Sequence, residues 1–180
     1  IKNYESRADN RFVDVSKREN YIFNASINGI EEADLIFLIG TNPRYEATIL
    51  NARIRKSHLN NNTKILSLND NGDLTYPYES LDGNTQTLKN IFEGKNDLSK
   101  IILESKKPMV ILGESFLRLN SAEFLYEKML EFLKLNKKFS EYWNPINILS
   151  CDAASVGNFD LGLINNENNL LNNLKSNKFD

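Results

Sequence analysis

The chain has 180 residues, 41% hydrophobic, 26% charged and 10% aromatic, with 22 basic and 24 acidic side chains and a formal net charge of −2. That is enough apolar material for one ordinary domain and too much for a disordered chain, while no apolar run approaches the roughly 18–20 residues of a membrane span. The near-neutral balance argues against nonspecific nucleic-acid binding as the main task, and the single cysteine and single histidine, Cys151 and His58, exclude a disulfide framework, a zinc-finger set and an iron–sulfur cluster held by this chain alone.

Residues 1–25 are polar apart from Phe12-Val13, Val15 and Tyr21-Ile22-Phe23, and read as an irregular lead-in. A short helix is expected over residues 26–33. Asp34-Leu35-Ile36-Phe37-Leu38-Ile39 is then a continuous apolar run that stops at Gly40. Such a run without alternation is the pattern of a strand buried on both faces. Gly40-Thr41-Asn42-Pro43 supplies a turn, a capping side chain and a first-turn proline for a helix over about residues 45–58. A second strand is expected at 64–68, two short helices at 85–92 and 98–105, and a third buried strand at 108–113. The spacing of Phe124, Leu125, Met129, Leu130, Phe132 and Leu133 predicts a helix over 121–135. A weaker strand at 146–149 and a short helix at 153–161 follow. Apolar strands alternating with helices predict an α/β fold, a mostly parallel sheet flanked by helices on both faces, Rossmann-like in its layers. The α/β unit is placed at 26–162, and 163–180 reads as a polar tail. Both ends of the chain look like cuts in a longer one.

Ligands in open α/β sheets bind where strands end at their carboxyl side. Two loops there form the candidate site: Gly40, Thr41, Asn42, Pro43 and Arg44 after one strand, and Gly113, Glu114 and Ser115 after another. Helix N–H groups and Arg44 could receive a phosphate. Equally, the first could be a plain strand-to-helix turn, with Arg44 solvated or paired to Glu46, and the second a plain loop. Gly40 is expected to need a positive φ or a close backbone approach. Cys151, on the same rim, reads as an ordinary thiol and His58 as a surface residue, although a spatial pairing of the two stays open. Glu31, Glu32 and Asp34 read as a solvated helix end, and Arg53 to His58 as a solvated or subunit-facing helix end. Tyr76-Pro77-Tyr78 and Tyr142-Trp143 are either interface anchors or cover for the edge of the core.

The stretch from Ile30 through Gly40-Thr41-Asn42-Pro43-Arg44 to Asn51-Ala52-Arg53-Ile54-Arg55-Lys56 closely resembles the large iron–sulfur subunit of respiratory complex I. Further matches follow in order at Asp73-Leu74-Thr75-Tyr76, Lys106 to Gly113, Asn147-Ile148-Leu149 and Phe159-Asp160-Leu161-Gly162. The run at 51–56 is specific to complex I, and the strand–Gly–x–Asn–Pro element is shared with the wider molybdopterin oxidoreductase superfamily. The resemblance implies a parent chain with 4Fe-4S and 2Fe-2S clusters in an N-terminal portion and a C-terminal domain shaped like the molybdenum enzymes, of which this chain is a part. In catalytic relatives the loop matching Gly40 to Arg44 helps cradle a pterin dinucleotide. Complex I subunits in general keep the fold without it, so the two loops would be a vestigial cleft with no cofactor, metal or catalytic residue in this segment. Implied too are partners among the other peripheral-arm subunits, no nucleic acid, no direct membrane insertion, and a peripheral place on the cytoplasmic face of the bacterial inner membrane. Two other readings remain open: a nucleotide or pterin-dinucleotide binding module, and an active molybdenum or tungsten oxidoreductase domain. The second needs a metal-ligating residue and further pterin loops.

Overall fold

Four apolar runs and one two-residue polar edge segment become five parallel strands in one sheet. The computed structural model describes residues 11–163 and Lys175. The strands are β1 (Leu35–Ile39), β2 (Lys64–Ser67), β3 (Glu79–Ser80), β4 (Pro108–Leu112) and β5 (Ile146–Ile148), in the spatial order β3-β2-β1-β4-β5. The helices are α1 (Pro43–Glu46), α2 (Thr48–Asn61), α3 (Thr85–Phe92), α4 (Asp97–Glu104), α5 (Glu114–Leu117), α6 (Ala122–Leu135) and α7 (Ser155–Asp160). The chain is therefore an α/β protein with a parallel sheet. β1 pairs with β2 from Leu35 opposite Lys64 and with β4 from Leu35 opposite Pro108, so the two flanking strands start level.

All five residues of β1 and of β4 are buried. The pleat sends Leu35, Phe37 and Ile39 into one layer with α3, α4 and α6, where Leu88, Ile91, Ile102, Leu125, Met129 and Leu133 meet them. Ile36 and Leu38 face the other layer, with Ile54 of α2, Ile30, Leu74, Tyr76 and Trp143. This second layer has a single long helix, and polar side chains fasten it. Asn51, buried on α2, donates to the Leu74 carbonyl at 3.0 Å and accepts from the Tyr76 hydroxyl at 2.7 Å. The Ser57 and Thr63 hydroxyls lie 2.6 Å apart, one donating to the other, and the pair reaches the carbonyls of Ile30 and Ala33 at 3.2 and 2.9 Å. Tyr76 and Trp143 are each only 8% exposed. They cover the edge of the core, and Trp143 donates from Nε1 to the Pro108 carbonyl at 3.0 Å. Tyr142, beside it, is exposed.

Several expected boundaries move. The short helix at 26–33 is a single 3-10 turn, Gly29–Glu32. The helix expected at 45–58 starts earlier and breaks: α1 ends at Glu46, the φ of −152° and ψ of 74° at Ala47 turn the chain, and α2 restarts from the Ala47 carbonyl. β3, with two residues, and α5, with four, have no counterpart among the expected elements. In the lead-in, Phe23 forms an antiparallel bridge with Asn147, and the Asn147 side chain accepts from the Ala25 N–H at 2.7 Å. Residues 164–174 and 176–180, most of the expected polar tail, lie outside the described residues, as do residues 1–10.

The acidic trio before β1 is paired rather than merely solvated. Glu31 meets Arg53 at 2.7 Å and Lys56 at 2.8 Å, and Glu32 meets Lys107 at 2.7 Å. The Asp34 carboxylate accepts from the Ser105 hydroxyl and from the backbone N–H groups of Lys106 and Lys107, at 2.6 and 3.0 Å for the two amides. It thus ties the start of β1 to the loop that leads into β4. Burial pushes the Asp34 carboxyl up, but these three donors outweigh it and hold it below its ordinary value. A depressed carboxyl contributes stability above its unfolded pKa, about 3.9, and that stability is lost as pH falls through the folded value. Asp34→Asn should therefore cost about 1 kcal/mol near neutral pH. It should also flatten the loss of stability on acidification below pH about 4, read by urea unfolding across that range.

Candidate functional site

In a sheet of this order the chain leaves β1 toward β2 and β3, then crosses to β4 and β5. The switch point lies between the carboxyl ends of β1 and β4, where such folds place ligands. Here the two loops at that point touch through their backbones. Gly113 N–H donates to the Ile39 carbonyl at 2.9 Å, and Ser115 N–H to the Gly40 carbonyl at 3.2 Å. A Cβ on Gly40, whose φ is +64°, would lie 2.3 Å from the backbone nitrogen of Phe116. A Cβ on Gly113 would lie 2.4 Å from the Gly40 carbonyl oxygen. Both residues are glycine because nothing larger leaves room for this contact. At Gly40 the left-handed backbone adds a second reason.

The open space is displaced to the β1–β2 side. A cleft of about 210 Å³ is lined by Gly40, Thr41, Asn42, Glu46, Ser67, Asn69, Asn71 and Ser115. Four of the expected site residues therefore share it: Gly40, Thr41, Asn42 and Ser115. Pro43, Arg44, Gly113 and Glu114 are not part of its lining. Arg44 points away and pairs with Asp73 at 2.7 Å, not with Glu46. Pro43 is buried in the first turn of α1. Glu114 pairs with Arg11, a buried arginine of the lead-in whose guanidinium also lies 5.3 Å over the Phe159 ring.

The side chains of Thr41, Asn42, Glu46, Ser67 and Asn71 find partners within the cleft. Thr41 donates to Glu46 at 2.7 Å, and the Asn42 N–H donates to the other Glu46 oxygen at 2.9 Å. Asn42 caps α1 by accepting from the Arg44 N–H and reaches across to donate to the Asn71 carbonyl at 3.0 Å. Asn71 donates back to the Thr41 carbonyl at 3.1 Å and to the Ser67 hydroxyl at 3.0 Å. Two donors that an anion would use at this helix start, the N–H groups of residues 42 and 44, are thus already engaged. Among the described residues no Lys, Arg or His lines the cleft, and one carboxylate does. Glu46, Ser67, Asn69 and Asn71 were not among the expected site residues. The available signal for Glu46 was a carboxylate one turn after a capping Thr-Asn-Pro, a spacing close to that of a capping box.

Cys151 sits on the same rim, its Sγ 3.9 Å from Glu46. Partial burial and the carboxylates of Glu46, Glu114 and Asp152 push its thiol up, away from the thiolate that a nucleophile or a metal ligand needs. His58 is half-buried and bonds through Nδ1 to the Thr63 carbonyl at 3.0 Å, at the amino end of the sheet and so at the opposite edge from Cys151. Among the described residues no group of three His, Cys, Asp or Glu is placed to hold a metal ion, and no helix is long and apolar enough to cross a membrane.

A family model described as molybdopterin oxidoreductase matches residues 1–180. The chain belongs to the molybdopterin oxidoreductase family. It is 38% identical over 161 residues to the NADH-ubiquinone oxidoreductase 75 kDa subunit of Reclinomonas americana, covering 89% of this chain and 23% of that protein. It is 41% identical over 150 residues to the mitochondrial 78 kDa subunit of the same-named enzyme of Neurospora crassa, covering 82% of this chain and 20% of the relative. Its identity to the mitochondrial NADH dehydrogenase (ubiquinone) iron-sulfur protein 1 of Solanum tuberosum is 35% over 147 residues, 82% of this chain and 20% of that one. The chain thus spans about a fifth of the length of these relatives.

Two positions of the first loop respond differently to substitution. Gly40→Ala forces both a left-handed alanine and an overlap with the Phe116 backbone, and should cost about 3 kcal/mol or more. Arg44→Ala removes an exposed ion pair and should cost less than about 1 kcal/mol. Urea unfolding of the two variants beside the parent checks both.

Proposed function

We propose that this chain is a segment of the large iron–sulfur subunit of NADH-quinone oxidoreductase, the respiratory complex I, and that it serves there as a cluster-free scaffold. The observation that carries this reading is the identity of 35–41% to complex I subunits over more than four-fifths of the chain. The whole subunit would pass electrons from NADH toward quinone through 4Fe-4S and 2Fe-2S clusters held by other parts of the polypeptide. One cysteine and one histidine do not suffice to ligate such a cluster here. The segment would pack among the other subunits of the peripheral arm, on the cytoplasmic face of a bacterial inner membrane.

The lining of the cleft supports a scaffold over a cofactor site. A pterin dinucleotide carries phosphates, and the described residues around Gly40 offer it a carboxylate, engaged helix N–H groups and no cation. Gly40, Thr41, Asn42 and Ser115 then line a vestigial cleft, with Pro43, Arg44, Gly113 and Glu114 in the same two loops but outside its lining, and its work is to lock three loops together. One observation favours the other reading, a nucleotide or pterin-dinucleotide binding module: an open cleft of about 210 Å³ at the carboxyl ends of a parallel sheet.

Purification of the tagged full-length protein from its native source separates the two readings. The scaffold reading expects NADH-quinone reductase activity and iron–sulfur signals in the purified material, with no pterin released on acid oxidation. Stoichiometric release of a pterin would overturn it and favour the binding module.

A further inference from the structure

Arg11 is seated where such folds place ligands, not where they place surface charges. Glu114 follows β4 and Gly113, Ser150 follows β5 by two residues, and Phe159 lies on α7, so the three meet at the carboxyl ends of β4 and β5. The Arg11 guanidinium reaches all of them. It pairs with the Glu114 carboxylate, lies 3.4 Å from the Ser150 hydroxyl through the same Nη1, and sits 5.3 Å over the Phe159 ring. Leu117 and Ile148 add apolar walls. The Arg11 and Glu114 side chains are 4% and 13% exposed. A carboxylate, a hydroxyl and an aromatic face in a dry surround suit a planar, weakly hydrated cation better than a compact, strongly hydrated ammonium. One donor and one acceptor of the pair are left over: Arg11 Nε and Glu114 Oε2 are buried with no hydrogen-bond partner among the described residues. Arg118, mostly exposed, stands 3.6 Å from that oxygen. The two leftover atoms correspond to the second bond of a guanidinium–carboxylate fork, which a guanidinium freed from its backbone tether can make.

We propose that the carboxyl ends of β4 and β5 form a guanidinium-binding pocket, that Arg11 is its tethered ligand, and that filling this pocket holds residues 11–25 as a strap along the edge of the sheet. β5 is the outermost strand on its side, and the lead-in covers its open edge, which would otherwise present unpaired backbone groups. The Ile148 N–H donates to the Ile22 carbonyl at 3.0 Å, and the Ala25 N–H to the Asn147 side chain at 2.7 Å. The strap has other ties: the Phe12 N–H donates to the Leu117 carbonyl at 2.7 Å, and Arg18 and Tyr21 both meet Asp160, at 3.0 and 2.8 Å. The Arg18–Asp160 pair faces water and is worth little. A buried carboxylate stripped of its partner is costly, so the Arg11 seat is the tie whose loss the strap feels most. Tethering supplies the guanidinium at high effective concentration, which a free guanidinium must match by its own concentration.

The test is amide hydrogen exchange read by mass spectrometry on the full-length protein, with methylguanidinium as the probe. Arg11→Gly should speed exchange about tenfold in peptides covering 20–25 and 146–150, a local opening of the strap, while the β1 peptide stays protected. Millimolar methylguanidinium should return that exchange toward the parent rate. Methylammonium at equal ionic strength should not, and adding Glu114→Gln to Arg11→Gly should abolish the rescue. Equal rescue by methylammonium would overturn the proposal, by reducing the seat to a simple charge pair. Parent-like exchange in Arg11→Gly, or no rescue by methylguanidinium, would overturn it as well. If β1 loses protection in Arg11→Gly, Arg11→Lys decides. It keeps the charge without the planar fork, so the strap should still exchange faster than in the parent, and a parent-like rate would overturn the proposal.

Discussion

The contact between Gly40 and Gly113 sets the terms for the rest of the molecule. Two loops leave adjacent parallel strands at the same level and meet backbone to backbone, a Cβ's width closer than any other residue pair would allow. The meeting closes the β1–β4 switch point with peptide groups. It sends the chain after Gly40 toward β2, where Thr41 and Asn42 come within reach of Asn71, itself bonded to Ser67. The first turn of α1 is then capped from its own end, by Asn42 and Glu46. A lining of this kind spends its hydrogen-bonding capacity on joining loops, which is what a scaffold requires. A phosphate site leaves such donors free.

The two faces of the sheet solve burial differently. One is covered by three amphipathic helices and needs few polar groups. The other has only α2, and its loops are held by directional bonds: Asn51 to the 74–76 loop, Ser57 and Thr63 to the turn before β1, Trp143 to Pro108. Buried polar groups of this sort must all be satisfied, and satisfied they fix one arrangement of the loops. The run Asn51-Ala52-Arg53-Ile54-Arg55-Lys56 has a physical content in these terms. Asn51 and Ile54 serve the inner layer, Arg53 and Lys56 hold Glu31, and Ala52 and Arg55 remain outward.

The strands buried on both faces were legible because an unbroken apolar run has few alternatives: β1 and β4 fall where their sequences place them, bounded by Gly40 and Gly113. α6 was legible from its spacing. β3 was not, because two exposed residues at an edge carry no pattern, and they pair only since β2 lies beside them. The break at Ala47 was hidden for a similar reason: alanine favours helix, and a tertiary turn overrode it. Tyr76 and Trp143 sit in polar surroundings in the sequence, and only the thin α2 layer explains their burial. At the site, Gly40, Thr41, Asn42 and Ser115 came together as their places at strand ends suggest. The partners of the charged pair did not: Arg44 found Asp73 and Glu114 found Arg11, contacts between distant segments that local spacing does not encode.

The claim that one backbone contact organises these loops is most directly tested by a double-mutant cycle on Gly40→Ala and Gly113→Ala, each followed by urea unfolding. If both alanines break the same contact, the second costs much less once the first is present, with a coupling in the range of about 0.5–3 kcal/mol seen for touching residues. Additive losses would mean that the two glycines serve separate local turns, and the account of a shared closure between β1 and β4 would be wrong.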